Sequence, residues 1–351
     1  MRKQAILSCV TGLAISLSLV GCGQQPTTST QQGSTQAENV SDAGGQTSAT
    51  TSSEQPKQAT TSPIGTVSNT LANDEEALVS TYASRFTQET YTDSETGLSV
   101  TYNLFLPAGY DASKSYPMVV FIADSSCAKG DTTQSLTQGL GALVWASDEW
   151  QAAHPTIVCV PTYSETILDD HNGYVTTDYV EATKRLIDSM KTKYAVDASR
   201  IYGTGQSMGC MTTLILASQH PDLYAGCMFV DGQWDVSTLK GLEGQRFVYF
   251  AAEDDQPAFT GMSEVKAMYE ADGVPFASAQ WDGNWSSDEL SKAATDLFSQ
   301  GKDANFVSWA AGTIEAGSGG GNGGGMGGAS YHMASFDYAY RCIAAMEWLF
   351  Q

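Results

Sequence analysis

The sequence predicts an α/β fold in which a mostly parallel central sheet is covered by helices on both faces. Short apolar runs typical of buried strands alternate with helical patterns between residues 117 and 271. Strands that alternate with helices imply right-handed crossovers and therefore parallel pairing. Two earlier β-rich runs, 86–92 and 98–106, flank a turn-like link at 93–97 and predict an antiparallel hairpin at one edge.

The predicted elements follow directly from these runs. Continuous apolar stretches predict buried parallel strands, and amphipathic stretches between them predict helices. The strands are expected at 117–122, 156–160, 201–203, 226–230 and 247–251, and the helices at 177–194, 208–219 and 261–271.

Three segments differ sharply in composition. Residues 1–21 begin with Arg2 and Lys3, and their apolar stretch is too short to span a membrane comfortably, which predicts an export signal. Residues 22–73 are rich in Ser, Thr, Gln, Ala and Gly and have very few residues able to build a core, so we expect a disordered tether. Residues 74–351 are then one folded domain, of a size that a single α/β domain commonly fills.

The junction between signal and tether carries its own pattern. Leu-Val-Gly before Cys22 resembles the lipobox of bacterial lipoproteins, and this resemblance implies a lipidated Cys22 and attachment to the membrane outside the cytoplasm. The alternatives are an ordinary cleaved signal and a free cysteine beside a short anchor.

Charge and cysteine content narrow the function classes. The net charge of −22 argues against nucleic acid as a partner, because its phosphates would be repelled. Neither a CxxC motif nor a histidine cluster indicates a metal site. The cysteines beyond position 22 are expected to be buried small hydrophobes, although one pair could form a disulfide; they are Cys127, Cys159, Cys210, Cys227 and Cys342.

One stretch carries the candidate chemistry. Gly205-Gln206-Ser207-Met208-Gly209 is a G-x-S-x-G sequence between a predicted strand and a predicted helix, which is the context of a nucleophile elbow. The turn is so tight that side chains two residues either side of the serine must be nearly absent. Ser207 is therefore the candidate nucleophile, with the Met208 N–H placed to hold an oxyanion.

Around Ser207 the sequence resembles a known family. The string VDASRIYGTGQSMGCMTTLILASQHPDLYAG is similar to bacterial α/β-hydrolase esterases of the predicted-peptidase group, related to feruloyl esterases and polyhydroxybutyrate depolymerases. The C-terminal YHMASFDYAYRCIAAMEWLF resembles the histidine segment of that group. The resemblance covers about residues 76–351, and it implies an α/β-hydrolase fold and a serine-histidine-acid triad.

The order of the triad in this fold selects the histidine. The serine precedes the acid and the acid precedes the histidine. His154 and His171 come before Ser207, and His220 lies at the far end of the nucleophile helix, where we expect it to cap or pack. His332, ahead of the final helix, is therefore the candidate base.

Several carboxylates compete for the acid position. Glu253-Asp254-Asp255 follows the strand that ends at residue 251, and alignment with the relatives places Asp255 at the acid, with Asp254 in reserve and Glu253 third. Some hydrolases take the acid from the preceding strand, which would select Asp231.

The remaining site residues rest on weaker patterns. The second oxyanion donor should come from the loop after strand 117–122, where relatives often carry His-Gly and this chain has Ala-Asp-Ser-Ser; Ser125 is favoured and Asp124 is the alternative. Gln206 adjoins the nucleophile, and Tyr163 and Trp281 could stack on an aromatic or sugar group, so these three are candidate substrate contacts.

These patterns predict a surface-anchored monomeric serine hydrolase that cleaves carboxylic esters through an acyl-enzyme and needs no cofactor. Its substrate would be a small-molecule or polymer-linked ester. A serine peptidase of the same fold and a non-catalytic binding lipoprotein are the alternatives. The Gly-rich segment 317–328 is expected to be a length-tolerant surface insertion, with a mobile flap over the site as the alternative.

Overall fold

One sheet of nine strands and a separate two-stranded hairpin make up the β-structure of the described residues. The computed structural model describes Val67, residues 74–316 and residues 329–351, all within one compact unit. The strands are β1 Thr87–Thr92, β2 Ser99–Phe105, β3 Tyr116–Ile122, β4 Ile157–Thr162, β5 Leu168–Asp169, β6 Val175–Thr176, β7 Val196–Gln206, β8 Gly226–Val230, β9 Phe247–Ala252, β10 Phe276–Trp281 and β11 Ala304–Trp309. The helices are α1 Glu75–Tyr82, α2 Thr132–Thr137, α3 Asp148–Ala153, α4 Tyr179–Lys193, α5 Met208–Gln219, α6 Gln256–Asp272, α7 Ser287–Phe298, α8 Ala329–Tyr340 and α9 Ile343–Leu349.

The sheet is parallel except at one edge. Its order is β1-β2-β4-β3-β7-β8-β9-β11-β10. In this order, all neighbouring strands from β4 through to β10 are parallel. Strand β2 pairs antiparallel with both β1 and β4. The predicted fold class, a mostly parallel sheet with an N-terminal antiparallel hairpin and helices on both faces, is therefore confirmed.

Two apolar layers enclose the sheet, because successive side chains of a strand point to opposite faces. On β3, Val119 and Phe121 join one layer, while Met118, Val120 and Ile122 join the other. Helices α1, α3, α7, α8 and α9 contribute to the first layer, and α4, α5 and α6 contribute to the second. No helix in the described part of the chain combines the length and apolar character needed to cross a bilayer.

The predicted elements are found with small shifts at their ends. The helix predicted at 208–219 has those bounds, and that predicted at 261–271 begins earlier, at Gln256. Strands β10 and β11 and helix α7 were not predicted. Residues 1–66, 68–73 and 317–328 lie outside the described residues, and with them the predicted signal, the lipidated Cys22, most of the tether and the Gly-rich insertion.

Candidate active site

Ser207 lies at the junction of β7 and α5 with a strained backbone. Its φ of 52° and ψ of −118° are rarely adopted by non-glycine residues. The flanking glycines are required by space: a Cβ on Gly209 would lie 1.8 Å from the Ile122 carbonyl oxygen, and one on Gly205 would lie 2.5 Å from the Gly209 backbone. The elbow thus presents the serine at the carboxyl end of the central strand, as the sequence predicts.

His332 connects this serine to a carboxylate. Its Nε2 is 2.8 Å from the Oγ of Ser207, and its Nδ1 is 2.5 Å from an oxygen of Asp255. The residue lies in the first turn of α8, a helix that precedes the C-terminal α9. The structure therefore brings together the three residues selected from the sequence, which are separated by 125 and 77 positions along the chain.

Asp255 occupies its position because β9 ends beside the elbow. The side chain is buried, and the Asp255 N–H donates to the Ala252 carbonyl oxygen in a tight turn that leads into α6. Its neighbours point elsewhere. Asp254 accepts a hydrogen bond of 2.7 Å from the Gly312 N–H, and Glu253 accepts from Ser308 and the Ala311 N–H. Asp254 and Glu253 thus hold the loop after β11 and do not contact the histidine.

Asp231, the alternative acid, is a second buried carboxyl next to the triad. It directly follows β8 with a positive φ of 43°, and its Oδ1 accepts the Ala252 N–H at 2.8 Å. Burial, and then the charge of Asp255, raise the pKa of Asp231 to about 7. The hydrogen bond to His332 belongs to Asp255, so Asp231 does not occupy the acid position.

The carboxylates around His332 make its protonated imidazole easier to form than burial alone would allow. Burial alone would lower the pKa of His332, but the hydrogen bond and charge of Asp255 raise it by more. The charges of Asp231 and Asp124 raise it further. The pKa of His332 is therefore raised above its ordinary value. A cation that forms on the imidazole is thus stabilised by a nearby acid, as acyl transfer requires.

Two backbone N–H groups are free near Ser207. Among the described residues, neither the Met208 N–H nor the Ser125 N–H has a hydrogen-bond acceptor. Met208 is the first residue of α5, where the partial positive charge of a helix N-terminus is concentrated. Ser125 is exposed in the loop after β3. The adjacent Asp124 carboxylate is engaged by the Ser126 N–H and by Gln138.

The structure corrects all three predicted substrate contacts, two of which are aromatic residues. Trp281 ends β10 and is only 2% exposed, with its ring packed against Phe250 and Trp309, so it belongs to the core. Tyr163 is equally buried, and its hydroxyl is bonded to Thr183. An aromatic ring favours burial as much as stacking on a ligand, and in both cases burial prevails.

Gln206, the third predicted contact, is also fully buried. Its Nε2 lies 3.2 Å from the Oε1 of Gln138, so its side chain is held within the protein beneath the elbow. It supports the nucleophile segment from inside and is not presented to a substrate. The sequence could not separate these two roles, because both require a residue next to Ser207.

The polar loop 169–173 and the cysteines have structural roles. Asp169 accepts from the N–H groups of His171 and Asn172, and Asp170 accepts from Gln233. In the described residues, no group of three or more His, Cys, Asp or Glu is placed to hold a metal ion. The five cysteines of the folded part are free and buried, as small hydrophobes are expected to be.

A polar cluster that no sequence pattern indicates lies below the elbow. Gln138 follows α2 and contacts Asp124, Ser126, Cys127 and Gln206. Isolated glutamines carry no periodic or motif signal, and the partners of Gln138 come from two other segments of the chain. Only the tertiary structure reveals that they meet.

With this geometry in place, the comparison with known proteins identifies the family. Residues 94–313 match the family described as "Putative esterase". This match spans more than half of the chain and includes Ser207 and Asp255, and it ends before His332. The protein is therefore a member of this esterase family.

The known proteins that resemble this chain include a depolymerase and solved esterases. Poly(3-hydroxyalkanoate) depolymerase C from Paucimonas lemoignei is 39% identical over 49 residues, which cover 14% of this chain and only 12% of the depolymerase. The crystal structure of a thermostable esterase matches with a TM-score of 0.59 at 24% identity, over 77% of this chain and 63% of that chain. A feruloyl esterase module from Clostridium thermocellum matches with a TM-score of 0.45 at 17% identity, over 72% of this chain and 87% of that module. The fold is the α/β-hydrolase fold.

Proposed function

We propose that this protein is a serine hydrolase that cleaves carboxylic esters with Ser207 as nucleophile, His332 as general base and acid, and Asp255 as the orienting carboxylate. The observation that carries this proposal is the continuous pair of hydrogen bonds from Ser207 through His332 to Asp255. Membership of an esterase family supports esters as the substrate class.

The contacts define the order of proton transfers. Nε2 of His332 takes the Ser207 proton as Oγ attacks the acyl carbon, and it then returns that proton to the departing alcohol oxygen. A water molecule repeats the sequence on the acyl-enzyme and releases the acid. Asp255 accepts the Nδ1–H throughout, which fixes the tautomer and stabilises the imidazolium.

The free N–H groups of Met208 and Ser125 supply the oxyanion site in this proposal. Both donors belong to backbone that is already folded around the elbow, so little reorganisation accompanies the reaction. The Met208 N–H also benefits from the helix N-terminus. The substrate is a small-molecule or polymer-linked ester, in line with the short match to a polyester depolymerase.

The proposal is tested with purified protein, p-nitrophenyl acyl esters and matched peptide amides. We expect ester hydrolysis, and labelling of Ser207 by a fluorophosphonate. Ser207→Ala should lower kcat by several powers of ten and abolish labelling, because the hydroxyl acts in the chemical step. Ser299→Ala, at an exposed serine after α7, is the matched control and should change neither.

Two results would contradict the proposal. Wild-type protein that is neither labelled nor active on any ester would favour the binding lipoprotein. Faster cleavage of the amides than of the esters would favour the peptidase.

We also propose that the enzyme is anchored outside the cytoplasm through a lipid on Cys22, which lies outside the described residues. The support is the Leu-Val-Gly-Cys sequence after an apolar signal. Cys22→Ala should move the protein from the membrane fraction to the soluble fraction with its specific activity unchanged. A wild-type mature chain whose N-terminus is not an acylated Cys22, measured by mass spectrometry, would refute the anchor.

A further inference from the structure

Gln138 lies between the two segments that carry the candidate oxyanion donors. Its Nε2 donates to the Asp124 carboxylate and, at 2.9 Å, to the Oγ of Ser126. Its Oε1 accepts from the Sγ of Cys127 at 3.1 Å and from the Nε2 of Gln206 at 3.2 Å. One side chain thus uses both ends of its amide to join the loop after β3 to the end of β7.

The residues that Gln138 contacts are chain neighbours of Ser125 and Ser207. Asp124 and Ser126 flank Ser125, and the Oδ1 of Asp124 also accepts the Ser126 N–H at 2.5 Å. Gln206 immediately precedes Ser207. The contacts of Gln138 therefore fix the backbone on both sides of the gap between the Ser125 N–H and the nucleophile.

The chemistry of the partners requires an amide at position 138. A carboxylate accepts hydrogen bonds only, so the NH₂ end must face Asp124. Burial and the Asp124 charge raise the pKa of Cys127 to about 12, so the thiol keeps its proton and donates to the oxygen end. The glutamine amide provides a donor for the Asp124 carboxylate and an acceptor for the Cys127 thiol. A carboxylate or an apolar side chain cannot provide both.

The same segment also contacts the histidine helix. The Leu140 N–H donates to Asp337 of α8 at 2.8 Å. Gly139, which lies between Gln138 and Leu140 in the chain, has a φ of 91°. A Cβ at that position would lie 2.6 Å from a carboxylate oxygen of Asp337. Residues 138–140 thus meet the loop after β3, the elbow and the helix that carries His332.

We propose that Gln138 is a positioning residue that sets the separation between the Ser125 N–H and Ser207, and thereby the fit of the oxyanion site to the transition state. This inference rests on the proposed function. Gln138 does not contact Ser207 or His332, so it acts only through its neighbours. Its loss should therefore reduce transition-state binding and leave substrate binding largely unchanged.

The test replaces Gln138 with a side chain of similar size that cannot form these bonds. Gln138→Met should lower kcat about 10- to 100-fold, because removing one oxyanion donor outright costs about 10²- to 10³-fold and a displaced donor loses part of that. KM should stay within about threefold. The affinity for a trifluoromethyl ketone, whose adduct with Ser207 places an oxyanion in the same site, should fall by the same factor as kcat/KM.

Gln151→Met is the matched control. Gln151 also joins parts of the chain before and after it, through Trp145 and Thr156. It lies before the amino end of β4, whereas Ser207 lies at the carboxyl ends of the parallel strands. We expect a similar loss of thermal stability, with kcat and ketone affinity within about twofold of wild type. If Gln138→Met does not fold, Gln206→Met removes only the link to the elbow and should lower kcat and ketone affinity together.

The outcomes separate this inference from the proposed function. If Ser207→Ala keeps wild-type activity, the proposed function fails and the inference fails with it. If Ser207→Ala is inactive while Gln138→Met keeps kcat and ketone affinity within twofold, only the inference is overturned. A kcat loss without a loss of ketone affinity, or an equal kcat loss in Gln151→Met, would overturn it as well.

Discussion

Two buried carboxyl groups near the same imidazole differ in what they contact. Asp255 shares a short hydrogen bond with Nδ1 of His332, whereas Asp231 accepts the Ala252 N–H and is not hydrogen-bonded to that imidazole. Burial, and then the charge of Asp255, raise the pKa of Asp231, which favours the neutral acid form of Asp231. Proximity to the histidine therefore does not by itself make Asp231 the triad acid.

The acids are ranked by replacing each with its amide. Asp255→Asn keeps the shape but favours the wrong imidazole tautomer, a change worth about 10⁴ in kcat in a well-studied triad. We expect a loss approaching that size, measured with a p-nitrophenyl ester. Asp254→Asn should stay within roughly tenfold, because Asp254 contacts the Gly312 N–H and not the histidine. A crippled Asp254→Asn enzyme beside an active Asp255→Asn enzyme would reverse the assignment.

Asp231 should make stability depend on pH. Its pKa of about 7 in the folded protein lies above the unfolded value of about 3.9, so its contribution to the free energy of unfolding is lost as pH rises from about 4 through about 7. Asp231→Asn keeps the acceptor for the Ala252 N–H and cannot ionise. The free energy of unfolding of Asp231→Asn, relative to that of wild type, should therefore increase from about pH 4 to about pH 7 and level off above it. Urea unfolding at a series of pH values measures this difference.

The exposed Asp222→Asn is the control for this measurement. Its stability relative to wild type should change far less across the same pH range. An unchanging difference between Asp231→Asn and wild type would show that Asp231 has no raised pKa.

The pH dependence of activity should follow the imidazole. Three acids raise the pKa of His332 against the effect of burial, namely Asp255 after β9, Asp231 after β8 and Asp124 after β3. Since the base must be neutral, kcat/KM should fall with decreasing pH along a limb whose apparent pKa lies above 6.5. Asp231→Asn removes one of these charges and should move the limb to lower pH. A limb that moves to higher pH, or does not move, would contradict this account.

At the scale of elements, the elbow depends on close approach between α5 and β3. Gly209→Ala would place a Cβ 1.8 Å from the backbone oxygen of Ile122, which rigid strand backbone cannot avoid. We expect loss of soluble folded protein or of activity by at least about 10²-fold, since small misplacement of reacting groups is costly. Gly244→Ala, at a glycine with open space around its Cβ position, should leave melting temperature and kcat near wild type.

The elements that the sequence predicts are those with strong local patterns. β3, β8 and β9 are continuous apolar runs, and α5 begins within the G-x-S-x-G motif, directly after Ser207. β10 and β11 carry Ala, Ser, Asn and Gln among their apolar residues, so no continuous run marks them. Their strand structure depends on pairing in the sheet, with β11 beside β9 and β10 beside β11, which a local window does not contain.

The residues of the candidate site also divide into those that local patterns reveal and those that only tertiary contacts reveal. Ser207 follows from a motif and His332 from the order of the triad, because few histidines follow the serine. The choice between Asp254 and Asp255 depends on which residue the turn after β9 directs inward, so the family resemblance favoured Asp255 and left Asp254 as an alternative. Gln138 and the burial of Trp281 are set by tertiary contacts alone, so sequence patterns could not supply them.

At the scale of the whole molecule, the folded part holds five thiols without cross-links. All five are buried and free, and burial raises the pKa of each thiol. A chain of this size can be stabilised by its apolar layers alone, so export does not require a disulfide. The cysteines then act as core residues.

This arrangement predicts a specific pattern of alkylation. Iodoacetamide reacts with accessible thiolates, so native protein at pH 8 should leave the five cysteines unmodified, while denaturation in guanidinium without reductant should expose all five to the reagent. The modified peptides, mapped by mass spectrometry, are those of Cys127, Cys159, Cys210, Cys227 and Cys342. Ser299→Cys provides an exposed thiol as a positive control and should be alkylated in the native state. A peptide pair linked by a disulfide in the denatured, unreduced sample would contradict the structure, and so would a melting temperature that falls when reductant is added.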